Sequence, residues 1–152
     1  MWARLLRFSA LPPSAKAVFV QAAFLLPVTS LSLRMRGFAK TQRSLQSWLP
    51  KYDSSPQLAP EVAAQTLMVS RMVLAASRHA LFTTTCLECS LVLWWLLARH
   101  GVPAQLRIGV RKTGDKFEAH AWVERDGAAI AEAEDTHLHY APFAKEFTGG
   151  LP

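Results

Sequence analysis

Three residues, taken in chain order, have the chemistry for a nucleophilic centre: Cys86, His120 and Glu132. A thiol becomes an effective attacking group when a base lies within hydrogen-bond reach, and that base works when a third group holds its ring in the useful tautomer. Cys86 stands at the head of an apolar run, His120 in the middle of an alternating segment, and Glu132 twelve residues further on, across a turn signal. Glu134 and Asp135 are the other carboxylates that could take the third role.

Each of these residues needs an element to hold it. Thr85 followed by Glu88 is a capping box, in which hydroxyl and carboxylate each satisfy a free backbone N–H, so Cys86 falls in the first helical position. The run Leu91 to Ala98 is apolar in nearly every direction around the axis, and Gly101 with Pro103 ends it, which predicts a wrapped core helix of about fifteen residues, roughly 22 Å long. Only its amino end should meet solvent, where the unpaired N–H groups and the helix dipole favour a thiolate, with Glu88 opposing. The thiol of Cys89 should turn towards the core. After Gly101 the period changes to two. Ala104 to Arg111 and Phe117 to Glu124 read as strands joined at Thr113-Gly114-Asp115, and Asp126-Gly127 leads to a third strand over Ala128 to Glu132. On that reading Glu132 sits on the strand that pairs with the histidine strand. Tyr140 to Pro152, rich in Gly and Pro, reads as a trailing loop with one short helical turn.

The front of the chain differs. Residues 1–50 hold Arg4, Arg7, Lys16, Arg34, Arg36, Lys40 and Arg43 and no acid, whereas the remainder carries ten basic and eleven acidic residues, within a net charge of +6 over 152 residues. Such asymmetry points to an acidic partner or an anionic membrane. Zinc-finger spacing, an aromatic RNA-binding pattern and a basic zipper are all missing, which argues against nucleic acid. Ala17 to Leu33 is uncharged, but Pro27, Gln21, Thr29, Ser30 and Ser32 interrupt it and it falls short of the ~20 apolar residues of a comfortable span. A helix or kinked helical pair from Pro13-Ser14, packed on the rest of the chain, is expected, with a peripheral membrane contact as the alternative. Thr41 to Leu49 suggests a short basic helix, Pro50 to Pro60 a linker, and Glu61 to His79 an amphipathic helix. The expected division is a basic helical segment over 1–50 and a second unit over 61–152. Two cysteines three apart make no disulfide framework, so a cytoplasmic setting is expected, with association of the front segment with a membrane as the alternative.

Two rival chemistries use the same residues. Cys86 and Cys89 form a CxxC, but a redox helix of the thioredoxin kind follows a strand, and here a helix and a threonine loop precede it. A zinc site from Cys86, Cys89, His137 and His139 lacks the usual ligand spacing. No metal and no cofactor is expected. His79, His100, His137 and His139 read as ordinary surface or loop residues.

The pattern Cys86-Leu87-x-x-Ser90 on a helix, the stretch Gly101 to Val110, and Ala119-His120-Ala121-Trp122-Val123-Glu124 followed by Asp126-Gly127 resembles the transglutaminase-like cysteine peptidases of lasso-peptide biosynthesis, the microcin-processing B proteins. The resemblance runs from about Glu61 to Phe143. It implies an α+β fold with a papain/transglutaminase-like core, its helical N-terminal half packed on a small antiparallel sheet. It also implies a hydrolase that removes the leader from a ribosomally made precursor peptide before an ATP-dependent cyclase closes the ring. By that likeness Cys86 is the nucleophile and His120 the base and later acid, while Glu132 stands where the family usually has an aspartate. The front segment reads as helices, so the chain resembles the stand-alone peptidase half that works with a small leader-recognition protein. A catalytically weak peptide-binding scaffold is the non-enzymatic alternative.

Overall fold

The computed structural model describes residues 10–49, 59–132, 136–143, 147 and 148. Within them four helices precede the sheet: α1 (Pro13–Arg36), α2 (Phe38–Ser47), α3 (Ala59–Arg78) and α4 (Cys86–Arg99). The strands β1 (Gln105–Thr113), β2 (Lys116–Arg125) and β3 (Ala128–Ile130) follow, then a 3₁₀ turn (Thr136–His139) and two short strands, β4 (Ala141–Pro142) and β5 (Phe147–Thr148). The architecture is the expected α+β one, helices first and a small antiparallel sheet after.

The apolar run of the sequence forms the centre. In α4, Leu91, Val92, Trp94, Leu96 and Leu97 are fully buried, because α1, α2 and α3 close round one side of the helix and β1 and β2 the other. Val18, Ala22, Leu25 and Leu26 of α1, Leu45 of α2 and Val69 and Val73 of α3 join the same core. Trp95 also donates its indole N–H to the Leu45 carbonyl at 2.7 Å, which pins α2 to α4. Truncating a buried side chain of this size costs about 3–5 kcal/mol, so the helix that carries Cys86 is rigidly seated.

α1 runs unbroken through Pro27, which lies on its exposed side, and ends at Gly37, whose φ of 74° suits glycine. The expected linker from Pro50 lies outside the described residues as far as residue 58. At its end Ala59 and Pro60 are already helical, because proline fits the first turn, where an N–H has no partner to lose.

β1 and β2 pair in one register from Gln105↔Glu124 to Thr113↔Lys116, and Asp126 (φ 51°) with Gly127 (φ 78°) makes the tight turn into β3. Two expectations need correction. The third strand stops at Ile130 rather than reaching Glu132, because Ala131 adopts φ 60° and the chain leaves the ladder. The described residues of the tail contain strand rather than only loop and a helical turn. β4 and β5 both pair antiparallel with the outer edge of β1, opposite Gly109 and Val110 and opposite Gln105 and Leu106 respectively.

Candidate active site

The start of α4 is the capping box anticipated from Thr85 and Glu88. The Thr85 N–H donates to Glu88 Oε2 at 2.8 Å, and the Glu88 N–H to Thr85 Oγ1 at 3.3 Å. The box takes up the first and last of the four N–H groups that a helix start leaves over, and those of Cys86 and Leu87 are the two between them. Cys86 is exposed at this end. Cys89 is half-buried and packs against the core, and both are free thiols.

What ties this end to the sheet is Ser90, one turn beyond Cys86 on the same face of α4. Its buried hydroxyl donates to the Ala121 carbonyl at 2.9 Å. The residue before Ala121 is His120, so one hydrogen bond fixes the cysteine-bearing face of the helix against the histidine-bearing stretch of β2.

His120 Nε2 lies 2.9 Å from Glu132 Oε2, both side chains being only 17% exposed. With a carboxylate accepting at Nε2, the neutral imidazole is the tautomer that carries its proton there and keeps the Nδ1 lone pair. How Glu132 comes to be there was not legible. The pairs Arg125↔Ala128 and Val123↔Ile130, continued two steps, would set Glu132 opposite Ala121, on the face where Ala121 and Val123 are buried. His120 belongs to the other face, since strand neighbours alternate. The left-handed turn at Ala131 breaks the alternation and brings the carboxylate round to the imidazole. The expected pairing is therefore present, but Glu132 reaches it from beyond the strand. Glu134 and Asp135 lie outside the described residues.

Aromatic rings hold the imidazole from further sides. Trp122 stacks at 6.0 Å with 17° between planes, and Tyr140 lies at 5.1 Å. The Arg111 guanidinium, its pKa raised by the hydrogen bond to Glu118, sits 4.8 Å from the centre of the Tyr140 ring. Gly109, opposite His120 in the ladder, makes room for this arrangement: a Cβ there would meet Trp122, the Tyr140 Cβ and the Ala141 carbonyl, each at 3.0 Å. Tyr140 had no signal of its own in the sequence. Gly109 in the middle of a strand was the available hint that another backbone approaches.

Among the described residues no three His, Cys, Asp or Glu side chains come together to hold a metal ion. The CxxC follows α3 and the loop 79–85 rather than a strand, so its setting differs from that of a thioredoxin helix. His100 is not an ordinary surface histidine. It is half-buried at the carboxyl end of α4, 2.9 Å from the Gln65 amide, and burial together with the neighbouring Arg99 lowers its pKa. Beside the site, a groove of about 440 Å³ runs between α3 and β3, lined by Leu67, Ser70, Arg71, Arg125, Ile130 and Ala131. It borders β3 at the end of the sheet order and stops one residue short of Glu132.

An α+β domain with a cysteine at the start of its central helix, a histidine on the strand hydrogen-bonded to that helix, and a carboxylate just beyond the sheet bonded to the histidine, is the class of structure these observations define. The sequence model described as "Transglutaminase-like superfamily" matches residues 29–145, and the chain belongs to that superfamily, which includes cysteine peptidases. No curated protein and no solved structure matches the chain.

Proposed function

We propose that the chain is a cysteine peptidase that cuts the leader from a ribosomally made lasso-peptide precursor before macrocyclisation. The observation that carries the peptidase reading is the 2.9 Å bond from His120 to Glu132, on the strand to which Ser90 ties the Cys86 face of α4. In this reading Nδ1 of His120 takes the Cys86 proton as Sγ attacks the scissile carbonyl, and Glu132 balances the imidazolium that forms. The oxyanion is met by the N–H groups of Cys86 and Leu87 at the positive end of the helix. His120 then returns the proton to the leaving amine, which departs with the downstream peptide and leaves a thioester. Water, giving a proton to the same nitrogen, hydrolyses the thioester and frees the enzyme and the leader.

The outer edge of β3, which pairs with no other strand among the described residues, and the groove beside it support a peptide substrate. An extended chain can add to a free strand edge and place apolar side chains beside Leu67 and Ile130, with its backbone running towards Glu132. The lasso-peptide assignment is supported by the motifs around Cys86, Gly101 to Val110 and His120. It brings with it a small leader-recognition protein and an ATP-dependent cyclase as partners, in the cytoplasm or at its membrane face.

The test is cleavage of the cognate precursor, with the recognition protein present, followed by mass spectrometry. Wild type should release intact leader and core, Cys89→Ala should match it, and Cys86→Ala should release neither. Cleavage by Cys86→Ala, or none by Cys89→Ala with its fold intact, would overturn the proposal.

A further inference from the structure

α1 is apolar on two opposite sides, and the core uses one of them. Ala15, Val18, Ala22, Leu25, Leu26 and Thr29 face inwards. At about 100° per residue, Val20, Phe24, Pro27, Leu31 and Met35 fall together in a narrow arc on the far side, and all five are exposed. No polar or charged residue interrupts that stripe, which from Val20 to Met35 runs about 24 Å at 1.5 Å per residue along the 24-residue helix. A contiguous exposed apolar surface of this kind on a water-soluble face marks an interaction site.

The charge around the stripe says what covers it. At its carboxyl end Arg34, Arg36, Lys40 and Arg43 are exposed, the last three lining one recess with Ser44 and Ser47, and Trp48 stands exposed beside a cleft formed with Leu31 and Met35. Residues 1–50 contain no Asp or Glu to neutralise them. An apolar helix face flanked by cations and an indole, with no hydrogen-bonding group along it to fix the register of a protein partner, suits a lipid interface. We propose that α1 lies along an anionic membrane surface, its Val20–Met35 stripe sunk among the acyl chains and Arg36, Lys40 and Arg43 among the phosphates. By length and composition the helix is long and apolar enough to cross a membrane. Its other face is nevertheless built into the core, so it docks sideways rather than crossing.

Flotation of the full chain with vesicles tests this. Wild type should float with phosphatidylcholine vesicles containing phosphatidylglycerol at 0.1 M salt, and weakly with phosphatidylcholine alone. Binding should fall at 1 M salt, where the Debye length shrinks from about 10 Å to about 3 Å. Arg36→Ala/Lys40→Ala/Arg43→Ala should lower partitioning about 100-fold, at about fivefold per cation. Phe24→Asp/Leu31→Asp should lower it at least tenfold, and circular dichroism should find both variants folded, because none of these side chains is in the core. Wild type that stays in solution with anionic vesicles, or variants that float like wild type, would overturn the proposal. So would a wild-type dimer that Phe24→Asp/Leu31→Asp splits into monomers, since the stripe would then be a contact between two copies.

Discussion

Replacing Glu132 by Gln probes the proposed machinery with the smallest change of shape. The side chain keeps its length, so the 2.9 Å contact with His120 Nε2 can persist through the amide oxygen, but the negative charge is gone. In the proposed mechanism His120 carries a positive charge in the transition state. Its attraction to a carboxylate about 4 Å from the ring charge is about 4 kcal/mol at an effective dielectric constant near 20, suited to side chains as little exposed as these. At 1.36 kcal/mol per tenfold, the lost charge alone slows acylation about 10³-fold. An amide can also turn its NH₂ to the ring, forcing the proton onto Nδ1 and removing the base. That error is the one behind the ~10⁴-fold loss in the corresponding serine-protease variant. Single-turnover cleavage of the precursor should therefore fall by 10³ to 10⁴ with an unchanged circular dichroism spectrum. Glu132→Asp, whose carboxylate is drawn back by about 1.5 Å, should fall at least tenfold. A Glu132→Gln rate within tenfold of wild type, with a collapse in Asp135→Asn or Glu134→Gln, would refute the reasoning and move the role to one of those residues.

Three further outcomes follow from the same geometry. Ala131→Gly should gain up to about 1 kcal/mol in urea unfolding, because glycine accepts a positive φ freely, whereas Ala131→Val should displace Glu132 and slow cleavage at least tenfold although its side chain is exposed. Ser90→Ala should cost about 1–3 kcal/mol in urea unfolding, by leaving the Ala121 carbonyl short of a buried partner, and should slow cleavage as well by loosening α4 on β2. His100 supplies a pH dependence: its pKa is lowered in the fold, so above about 6.5 it is neutral in both states, and as pH falls below that value the unfolded chain takes the proton first. Stability is then lost at up to about 1.4 kcal/mol per pH unit until the folded residue titrates, and the loss between pH 7.5 and 5 in urea midpoints should shrink in His100→Asn.

The parts of this site that were legible from sequence are the local ones. Thr85 and Glu88 are three residues apart and specify a helix start without help from the rest of the chain. β1 and β2 announce themselves by alternation, and Asp126-Gly127 by the turn type those residues favour. Glu132 could be picked out by its distance from His120 along a hairpin. Its position off the ladder could not, because a positive φ at an alanine has no compositional mark and depends on what the neighbouring carboxylate gains. β4 and β5 are two residues long, too short for any period, and one contains a proline; β4 meets β1 where Gly109 lets its backbone approach. His100 escaped for a similar reason: its hydrogen-bond partner, Gln65, is thirty-five residues away on α3.

The central claim is that Cys86, His120 and Glu132 act as one unit, and alkylation of Cys86 by iodoacetamide tests it without any knowledge of the substrate. At pH 7, with each cysteine followed by peptide mass spectrometry, Cys86 should be modified much faster than Cys89, and at least tenfold more slowly in His120→Ala than in wild type. A Cys86 rate that is the same in His120→Ala, or no greater than that of Cys89, would contradict the account.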